Sequence, residues 1–151
     1  MRGLTLLLGL VLALAVAEIG LRLFVVQEGK RMATYDNILG WRGLPYGQGV
    51  YSRQSDNIEV DFQYNELGFR DRSVPPKDAG TKRLMLLGDS FVESLEVDYD
   101  TTFGAQIEQA LKSRDSNWDV CVIGSQGYST AQELLAFQMF QPIVDADLVL
   151  L

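Results

Sequence analysis

The apolar run Leu84-Met85-Leu86-Leu87 stops abruptly at Gly88-Asp89-Ser90-Phe91. A continuous apolar stretch of strand length bounded by glycine fits a central parallel strand covered on both faces, which restricts the chain to an α/β arrangement. Ligands bind at the carboxyl ends of strands in such sheets, so Ser90 stands where a hydroxyl can do chemistry. The residues that follow keep the rhythm. Asp98-Tyr99-Asp100-Thr101-Thr102 offers several N-caps, and Phe103, Ile107, Ala110 and Leu111 recur at i, i+4, i+7 and i+8, predicting one amphipathic helix. Residues 113–117 close it, 119–123 read as a second strand, and Ser129-x-x-Gln132 is a capping box that opens the next helix. Gln141-Pro142 is predicted to end that helix. Residues 148–151 then begin a third strand, with Asp145 and Asp147 just before it. Alternating strands and helices imply a parallel sheet with right-handed crossovers.

Gly88-Asp89-Ser90 after one strand, and Gly124-Ser125-Gln126-Gly127-Tyr128-Ser129 after the next, resemble the first two blocks of the SGNH (GDSL-type) hydrolases. The resemblance covers about residues 82–151. Gly-Asp-Ser alone is common in strand-to-helix turns, so the order and separation of both blocks carry the likeness. It implies a flavodoxin-like three-layer parallel-sheet domain. It also implies Ser90 as nucleophile, with its own N–H and that of Gly127 in the oxyanion hole and Gly88, Asp89 and Gly124 in support. The family's third-block asparagine and its Asp-x-x-His base have no counterpart here, since the 151 residues contain no histidine. The expectation is therefore that these residues are the first part of a longer reading frame and show no hydrolase activity alone.

A serine hydroxyl needs a base to take its proton, and the tetrahedral intermediate needs donors aimed at its oxyanion. Glycines in the second block suit the second task, because they tolerate unusual φ and let backbone N–H groups approach a ligand. Val122 stands where many members of the family carry asparagine. The Gly-x-Ser-x-Gly elbow of α/β-hydrolases does not fit, as Val92 occupies its last position. Asp89 reads as a structural acid bonding nearby backbone rather than as the base, because adjacent side chains at a strand end diverge.

Ahead of this domain, residues 1–29 read as a membrane anchor or signal segment. From Gly3 to Ala17 there is no charge, and the apolar character resumes around Glu18 and Arg22 to reach Val26. The uncharged part would span about 22 Å as a helix, short of a hydrocarbon core of roughly 30 Å, whereas the whole stretch suffices. Glu18 and Arg22 are spaced to pair on one face near the interface. Ala15-Val16-Ala17 also fits a signal-peptide cleavage site. Continuation of the apolar character past that site favours the anchor, and both readings place the rest of the chain outside the cytoplasm.

Residues 30–80 form an extension of another character. In Ile58-Glu59-Val60-Asp61-Phe62-Gln63-Tyr64 apolar and polar residues alternate, which marks a half-buried strand. Residues 49–52 are expected to pair with it across a turn at Gln54-Ser55-Asp56-Asn57, giving a small antiparallel element. Gly40-Trp41-Arg42 and Asn65-Glu66-Leu67-Gly68-Phe69-Arg70 resemble segments upstream of the first block in membrane-anchored members of the family. Trp41, Phe69 and Arg70 are candidates for a substrate cleft, with packing anchors as the favoured reading. Residues 73–80, with Pro75-Pro76, form a linker into 81–151.

A net charge of −7, from 13 basic and 20 acidic residues, provides no basic patch for nucleic acid. Cys121 is alone and sits in an apolar run as a small core residue; no Cys/His cluster exists, so neither metal nor cofactor is expected. The partners read from the chain are a membrane and an acylated glycan or small ester, with oligomeric state open. An esterase or acyl-transfer enzyme is the leading reading. The alternatives are a catalytically inactive carbohydrate-binding module and an unrelated α/β ligand-binding domain.

Overall fold

A computed structural model describes residues 2–24 and 32–151. Helix α1 (Arg2–Phe24) is followed by two hairpins, β1 (Ala33–Asp36) with β2 (Gly40–Gly43) and β3 (Gln48–Arg53) with β4 (Ile58–Gln63). Then come β5 (Lys82–Gly88), the single-turn α2 (Ser90–Glu93), α3 (Phe103–Lys112), β6 (Trp118–Gly124), α4 (Thr130–Val144) and β7 (Leu148–Leu150). The sheet is parallel, in the order β6-β5-β7, so the strand that delivers Ser90 is central as expected.

Side chains of β5 and β6 alternate between two cores, as the two-residue period of a strand requires. Leu84, Leu86, Val120 and Val122 pack under Ile107 and Leu111 of α3. Met85, Leu87, Cys121 and Ile123 pack under Ala136, Phe140 and Val144 of α4, joined by Leu39 and Phe69 from the extension. Phe69 meets Phe140 edge-on with ring centroids 5.1 Å apart. Each face of the β5–β6 pair therefore carries one helix.

Burying Arg83, 1% exposed, demands a partner for every donor it turns inward. Its guanidinium donates to Asp119 Oδ2 at 2.8 Å, to the Val144 carbonyl at 2.7 Å and to the Pro75 carbonyl at 3.0 Å. One side chain thus ties the linker, β6 and the end of α4 together. On the outer side of β6, Asp71 Oδ2 accepts the Val122 N–H at 2.7 Å, occupying a donor that an edge strand would otherwise present.

Two expectations need correction. Helix α4 runs past Pro142 to Val144. Proline gives up its own N–H bond and crowds the carbonyl four residues back, and here the end is held nonetheless by the buried Val144 and by the left-handed Asp145, whose N–H donates to the Gln141 carbonyl at 2.9 Å. The buried face of α3 is also rotated from the expected one. Phe103 and Ala110 are exposed, while Gly104 and Glu108 are buried. A Cβ at Gly104 would lie 2.5 Å from Val122 Cγ2, so this glycine sets how closely the helix meets the sheet. Glu108 is tolerated there because Lys112 at 2.7 Å and Arg72 at 3.4 Å neutralise it.

In α1, the span Gly3–Leu23 is long and apolar enough to cross a membrane or serve as a signal anchor, and its leucines and valines face outward. Glu18 and Arg22 pair at 2.8 Å. The end of the apolar stretch at Val26 and the expected boundary between residues 29 and 30 lie outside the described residues. The predicted hairpin of β3 and β4 is present in the register Gly49↔Phe62 and Tyr51↔Val60, turning through Asn57 at φ 52°. The β1–β2 hairpin is an addition to the expected architecture.

Candidate active site

Ser90 opens α2 directly at the end of β5 and is partly exposed, with Phe91 84% exposed beside it. Asp89 is the N-cap of that turn: its Oδ1 accepts the Phe91 N–H at 3.0 Å. The carboxylate is thus committed to backbone, as its position in the sequence indicated.

Gly88 and Gly124 are paired in register at the ends of the neighbouring strands β5 and β6. Both leave room for Val92. A Cβ on Gly124 would lie 2.7 Å from Val92 Cγ1 and 3.2 Å from the Glu93 N, and one on Gly88 would lie 3.0 Å from Val92 Cβ. Two missing side chains therefore let α2 settle across both strand ends, with Ser125 N–H donating to the Gly88 carbonyl at 3.3 Å. The first and second blocks become one surface.

Glu93 locks that surface, although sequence reasoning passed over it. It is 4% exposed. Its Oε2 accepts the Gln126 N–H at 2.7 Å, and its Oε1 accepts the Tyr64 hydroxyl at 2.9 Å. The carboxylate joins the turn carrying Ser90 to the turn carrying Gly127 and to the strand-end tyrosine of the extension. Below it, buried Arg70 donates to the carbonyls of Ser94 and, at 2.7 Å, Val97. Burial holds the Arg70 guanidinium below its usual range while the Glu93 charge works in the opposite direction, so the two compensate each other. The only hint in the sequence is an acid between Val92 and Leu95.

Gly127 has φ +80°, in a turn closed by Tyr128 N–H to the Ser125 carbonyl at 3.1 Å. That left-handed φ is what glycine supplies without a steric cost. No family model matches the chain, and no curated protein matches it significantly.

Trp41 is held against the second block from outside. Its Nε1 donates to the Gln126 carbonyl at 3.0 Å, its carbonyl accepts the Tyr128 hydroxyl at 2.7 Å, and the two rings are 6.0 Å apart. It remains 40% exposed, next to Gly127. Of the three cleft candidates, Trp41 borders the site, while Phe69 is core and Arg70 is a buried anchor.

Cys121 is buried, and burial pushes its thiol well above the ordinary range, which fits packing and not nucleophilic chemistry. No group of three or more metal-ligating side chains is found among the described residues. A cavity of about 760 Å³ lies elsewhere, between β3–β4, residues 65–73 and Tyr99; it includes neither Ser90 nor Gly127. Position at the strand ends, not cavity size, identifies the candidate catalytic surface, because chemistry in parallel sheets is placed there by topology.

Proposed function

We propose that the chain carries the nucleophile half of an SGNH-type serine esterase or acyl-transfer site, acting on ester groups, foremost O-acetyl, of an extracytoplasmic glycan or lipid. The observation that carries this reading is the fusion of the two blocks. Ser90 and the Gly127 turn end adjacent parallel strands and are tied by one buried carboxylate.

In this reading, Ser90 Oγ attacks the ester carbonyl. The Oγ–C bond forms, the ester C–O bond breaks, and the serine proton passes through a base to the leaving alcohol. Water, or an acceptor hydroxyl in a transferase, then releases the acyl group by the reverse sequence. The N–H groups of Ser90 and Gly127 stabilise the oxyanion. Asp89 is occupied with its cap and these residues contain no histidine, so the histidine base implied by the resemblance has no counterpart among them. The flavodoxin-like three-layer fold belongs to the same proposal, supported by a parallel β6-β5-β7 sheet with a helix on each face of β5–β6. Helix α1 supports tethering to a membrane with the remainder outside the cytoplasm.

The test is hydrolysis of nitrophenyl acetate by the native gene product and by its Ser90→Ala variant. Loss of nearly all turnover is expected, because neighbours cannot replace a nucleophile. Unchanged turnover in Ser90→Ala would end the serine mechanism and favour a binding module.

A further inference from the structure

The cavity of about 760 Å³ falls within the size range of small-ligand sites. At its rim is a turn whose sequence works against its conformation. Gly47 N–H donates to the Leu44 carbonyl at 2.7 Å, Pro45 takes the second position, and Tyr46 the third with φ 58°. A turn with proline second and positive φ third calls for glycine or asparagine there. A bulky aromatic residue at positive φ is strained. Backbone bonds hold the turn, Tyr46 N–H to the Asn65 carbonyl at 3.1 Å and Tyr64 N–H to the Gly47 carbonyl at 2.8 Å, but the side chain adds no packing to the core: the ring is 69% exposed and belongs to none of the buried clusters.

The walls indicate what the ring is for. Gln48 and Gln63 are cross-strand partners on the exposed face of β3–β4, with Asp61 two residues along the same face. These planar amides and the carboxylate offer donors and acceptors together. Opposite them stands Tyr99, its hydroxyl donating to Asp71 at 2.7 Å and its ring 5.3 Å from the Arg72 guanidinium. Arg70 spends its donors on backbone carbonyls, and Arg72 is paired with Glu108 and Asp100. Converging cations for a phosphate are therefore lacking among the residues that line this groove, and a largely apolar lining interrupted by Gln48, Asp61 and Gln63 suits a ligand with apolar faces and hydroxyl edges.

We infer that this groove binds a neutral saccharide chain, with the Tyr46 ring stacking on the apolar face of a pyranose and the Gln48–Gln63 pair bonding its hydroxyls. The site is distinct from the Ser90 surface and holds whether or not Ser90 is a nucleophile. Binding is measured in the Ser90→Ala background, which removes turnover as a confounding signal. Titrations with cellotetraose, chitotetraose and mannotetraose up to about 10 mM are paired with thermal melts of Tyr46→Asn and Gln63→Ala. At least one oligosaccharide is expected to bind, with affinity about tenfold weaker in Tyr46→Asn and clearly weaker in Gln63→Ala. Tyr46→Asn should nevertheless melt at the same temperature or about 2–4 °C higher, because relief of strain stabilises the turn. No binding of any oligosaccharide, undiminished binding by Tyr46→Asn, or a lower melting temperature in that variant would each overturn the assignment.

Discussion

Replacing Glu93 is the sharpest probe of how the candidate site is held. In Glu93→Ala the Gln126 N–H and the buried Tyr64 hydroxyl lose an acceptor 2.7 and 2.9 Å away. Each hydrogen bond to a charged group contributes about 1.5–3 kcal/mol. Buried Arg70 also loses the nearby negative charge that offsets its own burial. Removing one member of a buried charged set costs about 3–5 kcal/mol, a large share of a total stability of about 5–15 kcal/mol. Glu93→Gln keeps one of the two acceptor oxygens but gives up the other and the charge, and should lose less than Glu93→Ala, about 2–3 kcal/mol. Urea denaturation followed by tryptophan fluorescence suits the measurement, because Trp41 is bonded to the same turn at Gln126. Combining Glu93→Ala with Tyr64→Phe should give a coupling energy of about 0.5–3 kcal/mol. A loss below about 1 kcal/mol for Glu93→Ala, or equal losses for Ala and Gln, would refute the bridge.

Gly124→Ala should destabilise by about 1–3 kcal/mol through overpacking, since its Cβ meets Val92 Cγ1 at 2.7 Å; adding Val92→Ala in the same urea assay should recover part of the loss. Burial pushes the Asp71 carboxyl up from 3.8 to about 6, so the folded chain binds that proton more tightly than the unfolded one. Stability should therefore fall by about 2–3 kcal/mol as pH rises across this window, and Asp71→Asn should flatten the slope measured in melts from pH 4 to 7. Cys121 should react with a thiol reagent only on unfolding, and Cys121→Ser should leave esterase activity largely intact. The native protein should remain in the membrane after alkaline carbonate extraction; release with a new N-terminus at Glu18 would instead establish α1 as a cleaved signal.

Strong local periodicity made much of this architecture legible. The unbroken apolar run of β5, the alternation from Ile58 to Tyr64, and the Ser129–Gln132 box each have one sensible conformation, and each formed. The rotation of α3 was hidden because Gly104 and Glu108 carry no apolar signal; close approach and ion pairing put them inside. The β1–β2 hairpin was equally hidden, since it is only four residues deep and is fixed by Trp41 reaching Gln126, 85 positions away. Ser90, Gly88, Gly124 and Gly127 were singled out through the resemblance of the two blocks, and the structure sets them at and just beyond the ends of β5 and β6. Glu93, Tyr64 and Asp71 matter through tertiary partners, which no window of sequence displays.

Covalent labelling probes the proposed role of Ser90 as an activated nucleophile without intermediate steps. Membranes carrying the native gene product are treated with a fluorophosphonate and the adduct is located by mass spectrometry. Phosphonylation of Ser90 is expected in the peptide containing Gly88-Asp89-Ser90-Phe91, abolished in Ser90→Ala and slowed in Glu93→Ala. An unlabelled Ser90, in membranes whose other serine hydrolases react, would contradict it.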